Sequence, residues 1–195
     1  MAETLTPQLL GELETRWRQM RAPIAAGLGP GLDDREIERL TAGFPRPLPS
    51  EPRTWWGWRT ITPIDVPWNT AMTGAPWRFT ALEAAVAEAR WERLEDSAYD
   101  ATLWRPSWLP VARDLGGNYL VVDCDVASGE PCPIHFVDSE YSPDIGEVVA
   151  PSLGTVVRWW LEAIDDGATA YDAEAGEWWY DEDPLRPEHR ASGVV

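Results

Sequence analysis

The chain has 195 residues, of which 33 are acidic and 16 are basic, so its formal net charge is −17, and 44% of its residues are hydrophobic. A surface this acidic disfavours nucleic acid and anionic membrane as partners, because phosphate contacts need Lys and Arg. One domain over residues 1–195 is expected in the cytoplasm, since no apolar run could span a bilayer and the start MAETLTPQLL lacks the basic and apolar regions of a secretory signal.

Helical periodicity marks the first part of the chain. The stretch TPQLLGELETRWRQM has apolar residues on one face and predicts an added N-terminal helix at about residues 5–22. Asp33 and Glu36 have the spacing of a capping box, which predicts a second, short helix. A third short helix is predicted near residues 49–58, within a proline-rich stretch. A fourth is predicted in TALEAAVAEARWERLE, residues 80–95, which opens with another pair at capping-box spacing, Thr80 and Glu83.

The middle of the chain has strand patterns and the end returns to helix. YLVVDCD, residues 119–125, and CPIHFVD, residues 132–138, are separated by turn residues and predict a β-hairpin. SLGTVVRWWLEAIDDG then predicts the clearest helix, with Ser152 as its N-cap. A small hairpin is predicted in AYDAEAGEWWY, and the polar tail at residues 181–195 is expected to fray. This order of elements indicates an α+β fold.

Thirteen tryptophans and only two cysteines are the other unusual features of the composition. Trp55, Trp56 and Trp58 cannot all face inward from one helix, so part of the Trp set is expected at the surface. Because Trp and Tyr are favoured at interfaces, an aromatic and acidic face is predicted to bind a protein, and stacking on sugars is the competing use. Cys124 and Cys132 predict buried free thiols and neither a zinc site nor a disulfide framework.

The stretch LGGNYLVVDCD, residues 115–125, does not predict a phosphate or metal site. Gly116 and Gly117 precede the apolar run, whereas dinucleotide-binding glycines follow a strand, and the chain contains no Lys for a P-loop. Asp123 and Asp125 begin like a calcium loop, but the later ligand positions do not match. We therefore expect no cofactor and no metal.

Catalytic arrangements are weak in the sequence. His135 lies in a strand pattern, where a hydrogen-bonded or surface histidine is expected rather than a general base. A pair of Cys132 with His135 stays open, as does a pair of carboxylates suited to glycoside hydrolysis, because the spacing in such sites is spatial. The prediction is that the protein is not an enzyme.

Three stretches together resemble the SUKH superfamily, in its cell-wall-assembly-regulator (Smi/Knr) branch. They are LGPGLDDREIERLTAGFPRPLPSEPRTWWGW, SWLPVARDLGGNYLVVDCD and SEYSPDIGEVVAPSLGTVVRWWLEAIDDG. The resemblance covers most of residues 28–180 and leaves the N-terminal helix outside. It implies a single α+β domain with a mainly antiparallel or mixed sheet flanked by helices. The residues that carry the fold signature are Trp108, Leu109, Pro110, Gly116, Gly117 and Asp123.

The same resemblance implies a binding function. The resemblance implies that bacterial members act as immunity proteins, which bind and neutralise toxin domains, many of them nucleases. A fungal branch of the superfamily functions in cell-wall regulation. A basic toxin domain is therefore the expected protein partner, and a general regulatory or scaffold module is the alternative. The candidate partner-binding residues, chosen from polar loops, are Asp125, Asp138, Glu140, Tyr141 and Asp144. Charge reversal at Asp138, Glu140 or Asp144 is predicted to abolish inhibition of the toxin domain.

Overall fold

The computed structural model describes residues 2–61, 72–73, 77–91, 104–138, 146–181 and 194. Within these ranges the helices are α1 (Pro7–Gln19), α2 (Asp34–Leu40), α3 (Ser50–Trp58), α4 (Leu82–Trp91) and α5 (Leu153–Asp165), with a 3-10 turn at Pro23–Ala26. The strands are β1 (Leu28–Pro30), β2 (Arg59–Ile61), β3 (Arg78–Phe79), β4 (Trp108–Arg113), β5 (Tyr119–Asp123), β6 (Ile134–Val137), β7 (Glu147–Ala150), β8 (Thr169–Asp172) and β9 (Glu177–Tyr180). The predicted α+β class is confirmed.

The central sheet is an antiparallel meander in the order β3-β4-β5-β6-β7, and β1-β2 and β8-β9 form separate two-stranded ribbons. Strand β5 is buried at all five positions, although strands with one wet face normally alternate. Both faces of the sheet are therefore covered. On one face Trp55 of α3 stacks on Phe79 at 4.6 Å between ring centroids, and on the other Trp104 contacts Trp108 and Tyr119 edge-on.

The predicted N-terminal helix is confirmed, and it packs on the rest of the fold. Helix α1 lies mainly against α5, and its apolar side chains join the common core. The Arg16 guanidinium makes two hydrogen bonds to Asp165 at the far end of α5, at 2.7 and 3.0 Å. Arg158 makes a similar pair to Glu3, at 2.9 and 2.7 Å. The start of the chain is thus fixed along the whole length of α5.

The predicted helices are all present, and their caps show how far local signals reach. Asp33 and Glu36 form the predicted capping box, and Ser152 accepts the backbone N–H of Thr155. The predicted box at Thr80 is wrong, because α4 begins at Leu82. Thr80 instead follows β3: its N–H donates to the Val111 carbonyl and its carbonyl accepts from the Trp56 indole, both at 3.0 Å. Tertiary contacts override the local signal there.

The hairpins predicted in the middle and at the end of the chain are confirmed as β5-β6 and β8-β9. The prediction that the tail frays is wrong at Val194, which is fully buried and whose carbonyl accepts from the Trp160 indole at 2.9 Å. Residues 182–193 and 195 lie outside the described residues. Within the described ranges, none of the helices has the length and apolarity that a membrane crossing requires.

The tryptophans of α3 agree with the expectation that not all three face inward. Trp55 and Trp56, although neighbours on α3, are both buried, while Trp58 is half-buried. Adjacent helical residues point about 100° apart, so a helix can bury both only when it is covered on two sides. Trp55 stacks on Phe79 and lies 6.3 Å from Trp160, measured between ring centroids, so this helix sits between the sheet and α5.

A single buried carboxylate joins several parts of the fold. Glu51, in the first turn of α3, is 1% exposed. Its Oε1 accepts the backbone N–H groups of Leu5 at 2.8 Å and Gly154 at 3.2 Å, and its Oε2 accepts that of Cys132 at 2.8 Å. Burial of a carboxylate is tolerated when charge-assisted hydrogen bonds replace water. Glu51 thereby connects the start of the chain, the β5-β6 connection and the beginning of α5.

Replacement of Glu51 by Gln is expected to lower the free energy of unfolding. An amide offers one acceptor oxygen and turns an N–H group toward a backbone donor, so at least one buried N–H loses its partner. Hydrogen bonds to charged groups contribute about 1.5 to 3 kcal/mol each, which predicts a loss of about 3 kcal/mol for Glu51→Gln in urea unfolding.

Glu83→Gln is the matched control for this measurement, because Glu83 lies in the first turn of α4 but is exposed. Its effect is expected within about 0.5 kcal/mol of wild type. Equal midpoints for Glu51→Gln and Glu83→Gln would contradict the structural role of Glu51.

Candidate functional site

The two predicted partner-binding residues that the structure describes lie at different ends of the sheet. Asp125 follows the end of β5, and Asp138 follows β6, whose last residue Val137 pairs with Tyr119 at the start of β5. Five strand residues at about 3.4 Å each separate the two positions by roughly 17 Å. The structure does not bring Asp125 and Asp138 together. The other candidates, Glu140, Tyr141 and Asp144, lie outside the described residues.

The two described candidates also differ in their surroundings. Asp125 has a side chain that is 54% exposed and forms an ion pair with Arg46 at 3.1 Å. A groove of about 290 Å³ beside this pair is lined by residues 46–50, 124 and 126–129. Asp138 is half-buried and engaged in contacts of its own. Asp125 is therefore the more accessible of the two carboxylates.

The fold-signature residues occupy β4, the following turn and the end of β5. Trp108, Leu109 and Pro110 begin β4 and are buried. Gly116 and Gly117 lie in the β4-β5 turn, where Gly117 has a φ of +88°, a conformation that glycine adopts without strain. The Asp114 carboxylate closes this turn by accepting the Asn118 backbone N–H at 2.8 Å. The opening glycines of the LGGN stretch therefore serve a turn.

Asp123 is the centre of a buried polar cluster. Its Oδ1 accepts the Asp125 backbone N–H at 2.9 Å, and its Oδ2 lies 3.9 Å from His135 Nε2 and 3.8 Å from Arg105. His135 is 4% exposed, and its ring lies 4.8 Å from that of Trp108, measured between centroids. The cluster joins β4, β5 and β6 on the sheet face that Trp104 covers.

Several contacts determine the pKa of Asp123. Burial on its own would raise it, but the Asp125 backbone N–H, the Ser107 side chain, the Trp108 indole and the nearby His135 ring outweigh burial and hold the pKa below the usual 3.8. The indole contributes by proximity only, since its Nε1 lacks a partner in hydrogen-bond geometry among the described residues. Asp123 is thus a carboxylate kept ionised.

The histidine of this cluster is held by backbone. His135 Nδ1 lies 2.5 Å from the carbonyl of Gly146, so a proton on Nδ1 is donated to that oxygen. Gly146 has a φ of +85°, and a Cβ there would overlap the Trp108 ring. The expectation of a hydrogen-bonded histidine is confirmed. His135 fixes the entry to β7, and Asp123 fixes the loop after β5, so the cluster positions two loops.

The thiols are also buried and free, as predicted. Burial is the main cause that raises the pKa of the Cys132 thiol to about 12, and the nearby charges of Glu51 and Asp123 add to it. Burial and the neighbouring Cys132 raise the pKa of Cys124 as well. Since the thiolate is the nucleophile, these shifts disfavour a Cys132–His135 pair at neutral pH. Among the described residues, no group of three or more His, Cys, Asp or Glu side chains is placed to hold a metal ion.

The core of the fold matches the model of a known protein family. The model of the SMI1 / KNR4 family (SUKH-1) matches residues 31–159, which extend from the start of α2 into α5. The chain belongs to this family. A comparison with curated proteins gives no significant match. The SUKH-1 region contains the central sheet, the Asp123 cluster and Glu51, whereas α1 and the β8-β9 hairpin lie beyond it.

Two exposed aromatic residues were absent from the candidate residues named from the sequence, although an aromatic and acidic face was predicted. Trp179 is 50% exposed and Tyr180 is 43% exposed, both on β9. The sequence GEWWYDED did indicate exposed aromatic residues, because it places three of them among acidic residues with no basic residue. Periodicity predicted the hairpin but could not say which ring of the Trp178-Trp179 pair faces outward.

The free energy of unfolding at acidic pH tests the role of the Asp123 cluster. A carboxylate whose pKa is lower in the folded state stabilises the protein above its unfolded pKa, and this contribution is lost as the pH falls through its folded pKa. Asp123→Asn is therefore expected to cost about 1 to 3 kcal/mol at pH 7 and progressively less below the usual pKa of 3.8.

The measurement is urea unfolding of both proteins from pH 7 to pH 2.5. Asp34→Asn serves as control, because the Asp34 side chain is 85% exposed. It should stay within about 0.5 kcal/mol of wild type at every pH. A constant difference between Asp123→Asn and wild type would show that Asp123 acts through packing and not through its charge.

Proposed function

We propose that this protein is a non-catalytic binding module that neutralises a toxin domain by occupying it, and that the toxin domain is basic. Membership of the SUKH-1 family supports a function exerted through binding. The resemblance to bacterial immunity proteins, carried by the same stretches of sequence, supports a toxin as the bound partner. The acidity of the chain supports the positive charge of that partner.

The observation that carries the proposal is where the acids lie. The buried carboxylates described above are engaged in structural contacts: Glu51 with three backbone amides, and Asp123 with the loop after β5. Glu14, the other buried acid among the described residues, contacts Arg18 at 2.6 Å and Arg59 at 3.1 Å. Apart from these three, the acids that the structure describes lie at the surface or are only partly buried, where their charge can act on a partner.

A surface of this kind favours a partner that binds phosphate. Nucleases carry basic active-site surfaces because their substrates are polyanions. An acidic protein both competes for such a surface and is steered toward it, and steering of this kind raises association rates by roughly 10 to 1000-fold at low salt. A nuclease toxin domain is the class of partner that best fits the charge.

The test begins with capture of the partner from the native cells with tagged full-length protein. The captured domain is then expressed alone and together with this protein, and cell survival is counted. Lethality alone and survival on co-expression are expected. A captured domain that is harmless in both cases would overturn the immunity function and favour the regulatory alternative.

The proposed charge complementarity predicts a strong salt dependence. The dissociation constant of the purified pair is expected to rise at least about tenfold between 50 and 500 mM NaCl, mainly through a slower association rate. Stopped-flow kinetics at several salt concentrations measure both effects. An association rate that does not change with salt would contradict a basic partner surface. Charge reversal at Asp138, Glu140 or Asp144 stays a prediction for the same assay.

A further inference from the structure

We infer that the β8-β9 hairpin is the surface that docks on the basic partner, with Trp179 as its anchor. This inference rests on the proposed function for the identity of the partner as a toxin. It adds a location to that function, in a part of the chain that follows the SUKH-1 match at residues 31–159. The occupant is a protein domain with a basic surface.

The hairpin is built to hold its shape before binding. Ala170 pairs with Trp179 and Tyr171 pairs with Trp178 in an antiparallel register. The Asp172 side chain accepts the backbone N–H groups of Glu174 at 2.8 Å and Ala175 at 3.0 Å, which closes the turn. At its base the Asp181 N–H donates to the Ala168 carbonyl at 2.8 Å. A preformed surface loses less conformational entropy when a partner binds.

The two faces of the hairpin have different roles. Trp178 and Tyr171 share one face, meet edge-to-face at 5.6 Å between centroids, and pack against the core. Because side chains alternate along strands, Trp179 lies on the opposite face. Its cross-strand neighbour there is Ala170, whose methyl group is too small to cover an indole, and Trp179 remains 50% exposed. The inner ring anchors the hairpin and the outer ring is presented to solvent.

Charge identifies the kind of occupant. From Trp159 to Asp181 inclusive the sequence has seven acidic residues and no basic residue. Asp165 is paired with Arg16, but Glu174 and Glu177 beside the hairpin turn are exposed. An exposed Trp within a field of acids matches a basic surface that has an apolar recess, and Trp is enriched among residues that dominate binding energy. A second copy is disfavoured because two surfaces of the same sign repel each other.

The first test measures binding of the captured domain by Trp179 variants of the full chain, using calorimetry. Trp179→Ala is expected to weaken binding at least about 30-fold, as for a central aromatic anchor, and Trp179→Phe should recover part of the affinity. Leu115→Ala is the matched control, because Leu115 is 68% exposed in the β4-β5 turn, and it should leave affinity within about twofold. Unchanged melting curves are expected for all three.

The second test concerns the acids. The pair Glu174→Lys and Glu177→Lys is expected to slow association at least about tenfold at low salt and far less at 500 mM NaCl. The pair Glu83→Lys and Glu147→Lys makes the same change in net charge at exposed positions elsewhere. A similar loss in both pairs would show that total charge, and not the hairpin, directs binding, and would overturn the proposed surface.

The outcomes separate this inference from the proposed function. If Trp179→Ala binds and protects like wild type, the hairpin surface is wrong while immunity stands. Loss of binding on charge reversal at Asp138 with normal binding by Trp179→Ala would place the interface at the other loop. If the captured domain is harmless but requires Trp179, immunity is wrong and the docking surface stands. Trp179-dependent binding of chitin oligosaccharides in place of the protein would overturn the partner class.

Discussion

The buried carboxylate of Glu51 is the interaction on which the arrangement of the fold depends most directly. Its three backbone donors are 46, 81 and 103 residues away along the chain, so each bond closes a long loop. Two donors lie inside the SUKH-1 match and the third, Leu5, lies before it. The same carboxylate that joins two parts of the matched region therefore also attaches the segment before the match, which makes α1 part of the core and not an appendage.

A close approach next to Glu51 explains why that attachment is specific. A Cβ on Gly154 would overlap the backbone of residues 3–5, which crosses the first turn of α5. Ser152 both caps α5 and donates to the Glu3 carbonyl at 2.5 Å, and Thr155 accepts the Glu3 N–H at 3.1 Å. The first N–H groups of α5 are thus accepted by side chains, Gly154 by Glu51 and Thr155 by Ser152. The backbone of residues 3–5 packs so closely on this turn that position 154 needs a residue without a side chain.

The sequence predicted what is local and left open what is distant. The capping box at Asp33, the cap at Ser152 and the turn at Gly176 involve residues within four positions of one another, so their signals stand in the letters. The role of Glu51 could not be predicted, because its donors are backbone groups and carry no residue identity. The Thr80 box failed for the converse reason: a local pattern was present, but the Thr80 N–H and carbonyl bond to the Val111 carbonyl and the Trp56 indole instead.

The candidate site divides along the same line between scaffold and surface. Asp123 and His135, which look chemical in the sequence, act on backbone groups and hold two loops in place, so changing them alters stability as well as any binding. Trp179 lies on the β8-β9 hairpin, which is anchored by the Trp178 ring on its inner face and by the Asp181–Ala168 hydrogen bond at its base. Residues on the outer face of the hairpin can therefore be substituted without disturbing the core. A protein that must match one particular partner gains from this separation, because affinity can be adjusted at positions where stability is insensitive to substitution.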